Sequence, residues 1–107
     1  MSQTPSIGRI VHYKLNAGDV GRIQQKREQL RAAGLVWSSL GNPVSVGEVY
    51  PAEIVRVWGQ TPQSSVNLQV KLDGPDTHWV TSASHADFVG GENDAHPERT
   101  YIWPPRV

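Results

Sequence analysis

No cysteine occurs in the chain, so neither a disulfide framework nor a cysteine-based zinc site is available to it. Methionine and phenylalanine occur once each, which leaves tryptophan and tyrosine to supply nearly all the large side chains. The start, MSQTPSIGRI, has no apolar run of signal-peptide or membrane length. The expectation is therefore a soluble chain that stays where it is made, with no membrane partner. Net charge is also missing, with ten Lys/Arg against ten Asp/Glu. A binder of long duplex nucleic acid would carry a basic excess, so that partner is disfavoured.

Catalytic patterns are absent as well. No serine lies in a Gly-x-Ser-x-Gly turn, the glycines form no Walker-type phosphate loop, and paired carboxylates fall only in expected loops. Asp76 and Asp87 lie two residues from His78 and His85, but no HExxH-type spacing places His12, His78, His85 or His96 on one face. The reading is a protein that is not an enzyme and needs no metal or cofactor.

What is present is an uneven distribution of charge. The first 31 residues hold six Lys/Arg against Asp19 and Glu28, whereas residues 73–98 hold six acids and no Lys or Arg. A compact anion held by a local basic cluster fits this better than an extended polyanion.

At 107 residues the chain is one domain with a modest core. SIGRIVHYKL (6–15) is β-branched and aromatic and predicts a first strand. Residues 16–34 predict a helix, with Asn16 or Asp19 as N-cap and Gly34 as the stop. PAEIVRVWG (51–59) predicts a strand that Pro51 can only begin. VNLQVKLDG (66–74) alternates strictly, with Val66, Leu68, Val70 and Leu72 on one face and Asn67, Gln69 and Lys71 on the other. THWVTSA (77–83) and RTYIWPPRV follow as a fourth and a fifth strand, separated by an acidic stretch, 84–98, expected to be a mobile loop. Five short strands with one helix inserted after the first predict a mainly β (α+β) fold, a small, bent antiparallel barrel or sheet with its core in 51–104.

Two features of this pattern bear on function. In AEIVRVW, Ala52, Ile54 and Trp58 fall on one face and Val55 and Val57 on the other. That strand is expected to be covered on both sides, by the helix first and by another subunit of a homo-oligomer second. On the helix, Val20, Ile23 and Leu30 form a stripe that includes Arg27, while Arg22 and Lys26 stack on its flank. Arg27 either lays its stem on the core and reaches water, or aims its planar fork at a bound phosphate or carboxylate. Trp37, Trp58, Trp79 and Trp103 mostly end strands, where a ring serves stacking better than packing.

The segments IVHY, PAEIVRVW, VNLQVKLDG, WVTSA and TYIWPP occur in that order. The order resembles a family of small proteins of tailed bacteriophages and prophages. Its members look like V-H-Y, P-A-x-V-V-x-V-W, V-N-L-x-V-x-x-D-G, W-x-T-S-V and T-W-x-W-P. The match covers Ile10 to Tyr13 and nearly all of 51–104, with Tyr101 where the family usually has Trp; the helix of 16–34 belongs to only some members. The resemblance implies a phage origin and an antiparallel β-barrel of SH3-like type, and it brings no activity with it.

Origin and composition together suggest a phage accessory protein that sequesters a small anionic, nucleotide-type immune signal in the host cytoplasm, an anti-defence sponge. A virion decoration protein of head or tail comes second, and an adaptor with an SH3-like surface third. For the first reading, Asn67 and Gln69 form the floor of the site, since an amide that donates and accepts suits a nucleobase edge. Trp58, Trp79 and Trp103 stack the ring, Arg27 meets the anion, and His12, Tyr13 and Thr81 line the same space.

Overall fold

The computed structural model describes residues 3–34, 40–86 and 99–104. Five strands and one helix lie among them: β1 (Ile10–Lys14), α1 (Ala17–Ala32), β2 (Val49–Val57), β3 (Val66–Lys71), β4 (Thr77–His85) and β5 (Thr100–Ile102). The strands close into a barrel in the order β1-β2-β3-β4-β5. This is the expected small barrel of SH3-like type with one helix after its first strand. No helix among the described residues is long and apolar enough to cross a membrane.

One pairing differs from an antiparallel barrel. Four neighbours pair antiparallel, but β4 and β5 run parallel, with Ser84 opposite Thr100 and His85 opposite Tyr101. Parity requires this, because an odd ring of alternating strands must contain one parallel pair. A parallel return also needs a long connection, which residues 86–99 provide in length. The acidic stretch expected at 84–98 begins later than thought: Ser84 and His85 belong to β4, and Ala86 is buried. Residues 87–98, like Trp37, lie outside the described residues.

The barrel interior is filled by Val11, Tyr13, Ala52, Ile54, Val66, Leu68, Val70, Val80, Ala83 and Tyr101, all buried. Pro51 does not begin β2 but sits third in it, opposite His12. The N–H of Ile54 donates to Arg9 C=O of the β1 side (2.9 Å), so by alternation position 51 faces β3. The last β2–β3 pair is Ala52–Val70, so the missing donor of Pro51 falls beyond that ladder.

The apparent two-sidedness of β2 has a local cause. A bulge between Ile54 and Arg56 shifts the register, so that Ile54 pairs with Leu68 and Val57 with Val66. Ala52 and Ile54 point inward before the bulge and Val57 packs on the core after it. Trp58 is thereby turned outward, 55 % exposed, on the face opposite to the one strict alternation assigns. Neither the helix nor a second subunit is needed to account for this strand.

The helix lies across the barrel end where β1 stops and β3 turns into β4. Asn16 caps it and Asp19 completes a capping box. Val20 and Ile23 join the core, whereas Leu30 is left exposed. Arg27 is buried with its head, not only its stem: Nε and Nη2 donate to Asp76 Oδ2 and Oδ1 (2.9 and 3.0 Å), and Nη1 donates to Asn42 C=O (2.6 Å). Around this pair the 40–44 segment and the β3–β4 turn approach closely. Asn42 N–H donates to Asp73 C=O at 2.8 Å. A Cβ on Gly41 would lie 2.8 Å from Arg27 Nη2 and 2.9 Å from Gly74 Cα, and Gly41 has φ of +98°. Gly41→Ala is therefore expected to lower stability by about 1–3 kcal/mol, read as a drop in the thermal midpoint. An unchanged midpoint would show that the clasp around Arg27 is loose.

Candidate functional site

Alternation in β3 holds: Val66, Leu68 and Val70 are fully buried and Leu72 nearly so. The opposite face is not uniformly wet. Gln69 and Lys71 are exposed, but Asn67 is buried. Bulges flank Asn67 on both sides, one in β2 and one in β4, where Leu68 pairs with Val80 and Val66 with Ala83. Ser82 adopts φ of 56° at the second bulge. The Asn67 Oδ1 atom accepts from Trp58 Nε1 and from Ser82 N–H, each at 3.0 Å. Asparagine is a poor strand residue in general, and here its side chain satisfies donors that the broken ladders leave over.

Beneath α1 lies the most buried charge among the described residues. Asp19 is fully buried and accepts four bonds: from Tyr13 Oη (2.7 Å), Asn16 N–H (3.0 Å), Arg22 Nη2 (3.0 Å) and His78 Nε2 (2.9 Å). Burial alone pushes its pKa up, but the bonds from His78, Asn16 and Tyr13 outweigh it and hold the carboxyl down at about 2. An ionised carboxylate can only accept, so His78 carries its proton on Nε2. Burial first, and the bond to Asp19 second, raise the Tyr13 phenol far above its usual range.

Between α1 and the start of β4 runs a groove of about 190 Å³, lined by Arg22, Ile23, Lys26, Leu72 and 76–79. Arg22 is held at one end by Asp19, yet its side chain remains 57 % exposed. Lys26, one turn further on, is exposed and makes no ion pair among the described residues. His78 reaches the groove from inside, and Trp79, 61 % exposed, stands at its lip. Asp76 also lines it, but Arg27 neutralises that carboxylate. A second cleft, about 350 Å³, lies on the other side of Arg27 along Gln24, Glu28, Leu40 and Val44.

The structure divides the nine residues expected at one site. Gln69 and Trp79 are cross-strand neighbours on the outer face, and Trp58 joins them there through Asn67. Asn67 itself is a structural acceptor rather than an open floor. Tyr13 points into the barrel and is engaged by Asp19, so it lines no ligand space. Arg27 does meet a carboxylate, but it is Asp76 of its own chain, and both are largely buried. His12 lies on the outside of β1, opposite Pro51 and Ile102. Trp103 packs edge-on against Tyr101 (5.7 Å) with the Arg9 guanidinium over it (4.8 Å). Both are therefore on another side of the barrel from Trp79. Thr81 sits at the β4 bulge, its C=O taken by Arg99 Nη2 (2.6 Å).

Compared with known proteins, the chain matches no family model, no curated protein and no solved structure.

Reasoning from the sequence left out the Asp19 network and the groove. The signals were present: Asn16 and Asp19 have capping-box spacing, and Arg22 and Lys26 are four apart on one helical flank. His78 carries no such mark, since only the fold brings it to Asp19.

One buried and one part-buried carboxylate, Asp19 and Asp76, make acid stability predictable. Asp19 titrates at about 2 when folded and near 3.8 when unfolded, so its contribution, about 2 kcal/mol, is complete above pH ~4. It is lost as pH falls from about 4 towards 2, and Asp76, also lowered, acts in the same sense. Urea melts from pH 7 down to 2 should show this loss, and Asp19→Asn should make the profile shallower. An equally steep profile in Asp19→Asn would refute the role given to this carboxylate. Arg27→Met should cost about 3 kcal/mol, because it leaves Asp76 without its partner. A neutral result by thermal melting would return Arg27 to a mere cover for the core.

Proposed function

We propose that this chain is a non-enzymatic binding module for a small anionic ligand carrying a planar ring, of nucleotide type, seated in the groove between α1 and β4. The observation that carries the reading is the joining of Arg22, Lys26 and His78 to the exposed indole of Trp79 in one groove. A phosphate meets two cations a helical turn apart, and a base stacks on the adjoining ring, worth about 1–3 kcal/mol by such contacts. Arg22 is already oriented by its bond to Asp19, which lowers the cost of ordering it on binding. The acid–base groups nearest the groove, Asp19 and His78, are bonded to each other and to the helix, which favours holding over chemistry.

With the phage resemblance of the sequence, this reading makes the protein a sponge for a nucleotide-type signal of host defence. The anion site moves from Arg27 to Arg22 and Lys26, while Trp79 and Gln69 keep the places proposed for them.

Calorimetric titration with AMP, adenosine and inorganic phosphate tests the groove. AMP is expected to bind more tightly than either fragment. Lys26→Ala and Trp79→Ala should each weaken AMP binding about tenfold with little change in melting temperature. Binding that survives Trp79→Ala undiminished would sink the reading.

A further inference from the structure

A second aromatic station stands on the outer face of the barrel, further from α1 than Trp79. Trp58 is 55 % exposed, yet its indole is fixed by the bond from Nε1 to Asn67 Oδ1 at 3.0 Å. The acceptor is itself buried, held by Ser82 N–H and flanked by two bulges. The bond holds an exposed indole in one orientation, which lowers the cost of stacking a ring on it. The Arg56 guanidinium lies across this ring, 4.1 Å from its centroid. Arg56 makes no ion pair among the described residues, so its fork keeps its donors for an incoming anion.

The order of groups along the face follows from the register. Trp79 is opposite Gln69, and Arg56 is opposite Asn67, two residues further along β3. Starting from the helix, the face presents Arg22 and Lys26, then Trp79 beside Gln69, then Trp58 with Arg56. Trp58 itself follows β2 beside Ser65, but its indole is held back at Asn67, which lies two residues and one strand from Trp79. With ~3.3 Å per residue and ~4.8 Å between strands, that anchor stands roughly 8 Å from the Trp79 backbone. A mononucleotide cannot reach both, whereas two nucleosides joined by a phosphodiester can.

We propose that the outer face of β2, β3 and β4 takes a ligand with two phosphodiester-linked nucleobases, one stacked on Trp79 and the other on Trp58. Gln69 reads a base edge between them. A base arriving on Trp58 displaces the guanidinium, whose freed fork meets the backbone phosphate. This rests on the groove reading for its first base and adds to it the ligand class and a second station.

The test titrates AMP, linear diadenylate and cyclic diadenylate into the protein and into its Trp58→Ala, Arg56→Ala and Lys26→Ala variants, beside melting curves. One diadenylate is expected to bind about tenfold or more tightly than AMP, and Trp58→Ala and Arg56→Ala should each return it to the AMP level. Which diadenylate shows the gain tells a linear from a cyclic source. If Trp58→Ala fails to fold, Arg56→Ala, a change at an exposed side chain, still decides. Equal binding of all three probes, or a gain that survives both variants, overturns the second station and leaves the groove intact. A gain that depends on Trp58 but is insensitive to Lys26→Ala removes the groove instead. Failure of every probe to bind removes both.

Discussion

The carboxylate of Asp19 is the point on which helix and barrel depend together. It is the third residue of α1 and so closes that helix's own capping box, but its oxygens also accept from Tyr13 of β1 and His78 of β4. Few apolar side chains of α1 reach the core; Val20 and Ile23 do, and Leu30 does not. Polar contacts must therefore fix where the helix sits. A buried charge is costly unless every lone pair is used, and four donors use them here. The groove exists because α1 is held against the start of β4 here and, through Arg27 and Asp76, at the residue just before that strand.

The second constraint is the pair of bulges about Asn67. A barrel of only five strands must coil its sheet sharply, and bulges supply the bend by letting two residues oppose one. The consequence reaches beyond curvature. Each bulge reverses which residues face outward for the rest of its strand, and in β2 that reversal exposes Trp58. Asn67 then binds both the displaced Ser82 N–H and the indole it has turned out. Fold closure and the display of an aromatic surface are the same event.

Arg22, Lys26 and Arg27 of α1 meet two different fates for reasons of angle. Arg27 follows Lys26 by one residue, about 100° round the helix, and that rotation carries it under the 40–44 segment to Asp76. Arg22 and Lys26 share a flank and remain at the groove. Asp76 takes the inward charge and leaves the outward two available to a ligand. Positive potential at the groove is thus a matter of which acid each base can reach, although the whole chain is neutral.

Much of this was determined by the sequence alone. Strict alternation in 66–72, the Asn16–Asp19 spacing and the stripe of Val20 and Ile23 are local patterns, and local patterns survive folding because backbone geometry alone imposes them. Strand number and the inserted helix followed from them, whereas the patterns left a barrel or an open sheet, and strand pairing decided for closure. Where the reading went astray, a distant part of the chain intervened. Pro51 sits inside β2 because the pairing of β2 with β3 stops at Ala52–Val70, one residue before it. Arg27 found a carboxylate 49 residues away. Asn67 became an acceptor for bulged neighbours, and Tyr13 became a donor inside the core. Period-two reasoning placed Trp58 with Ala52 and Ile54, since nothing in AEIVRVW announces a bulge; only pairing with β3 reveals it. Residue types that could serve a ligand were legible in the sequence. Which of them remain open to solvent was decided by tertiary contacts, because a polar side chain is available only if no nearer protein group has claimed its hydrogen bonds.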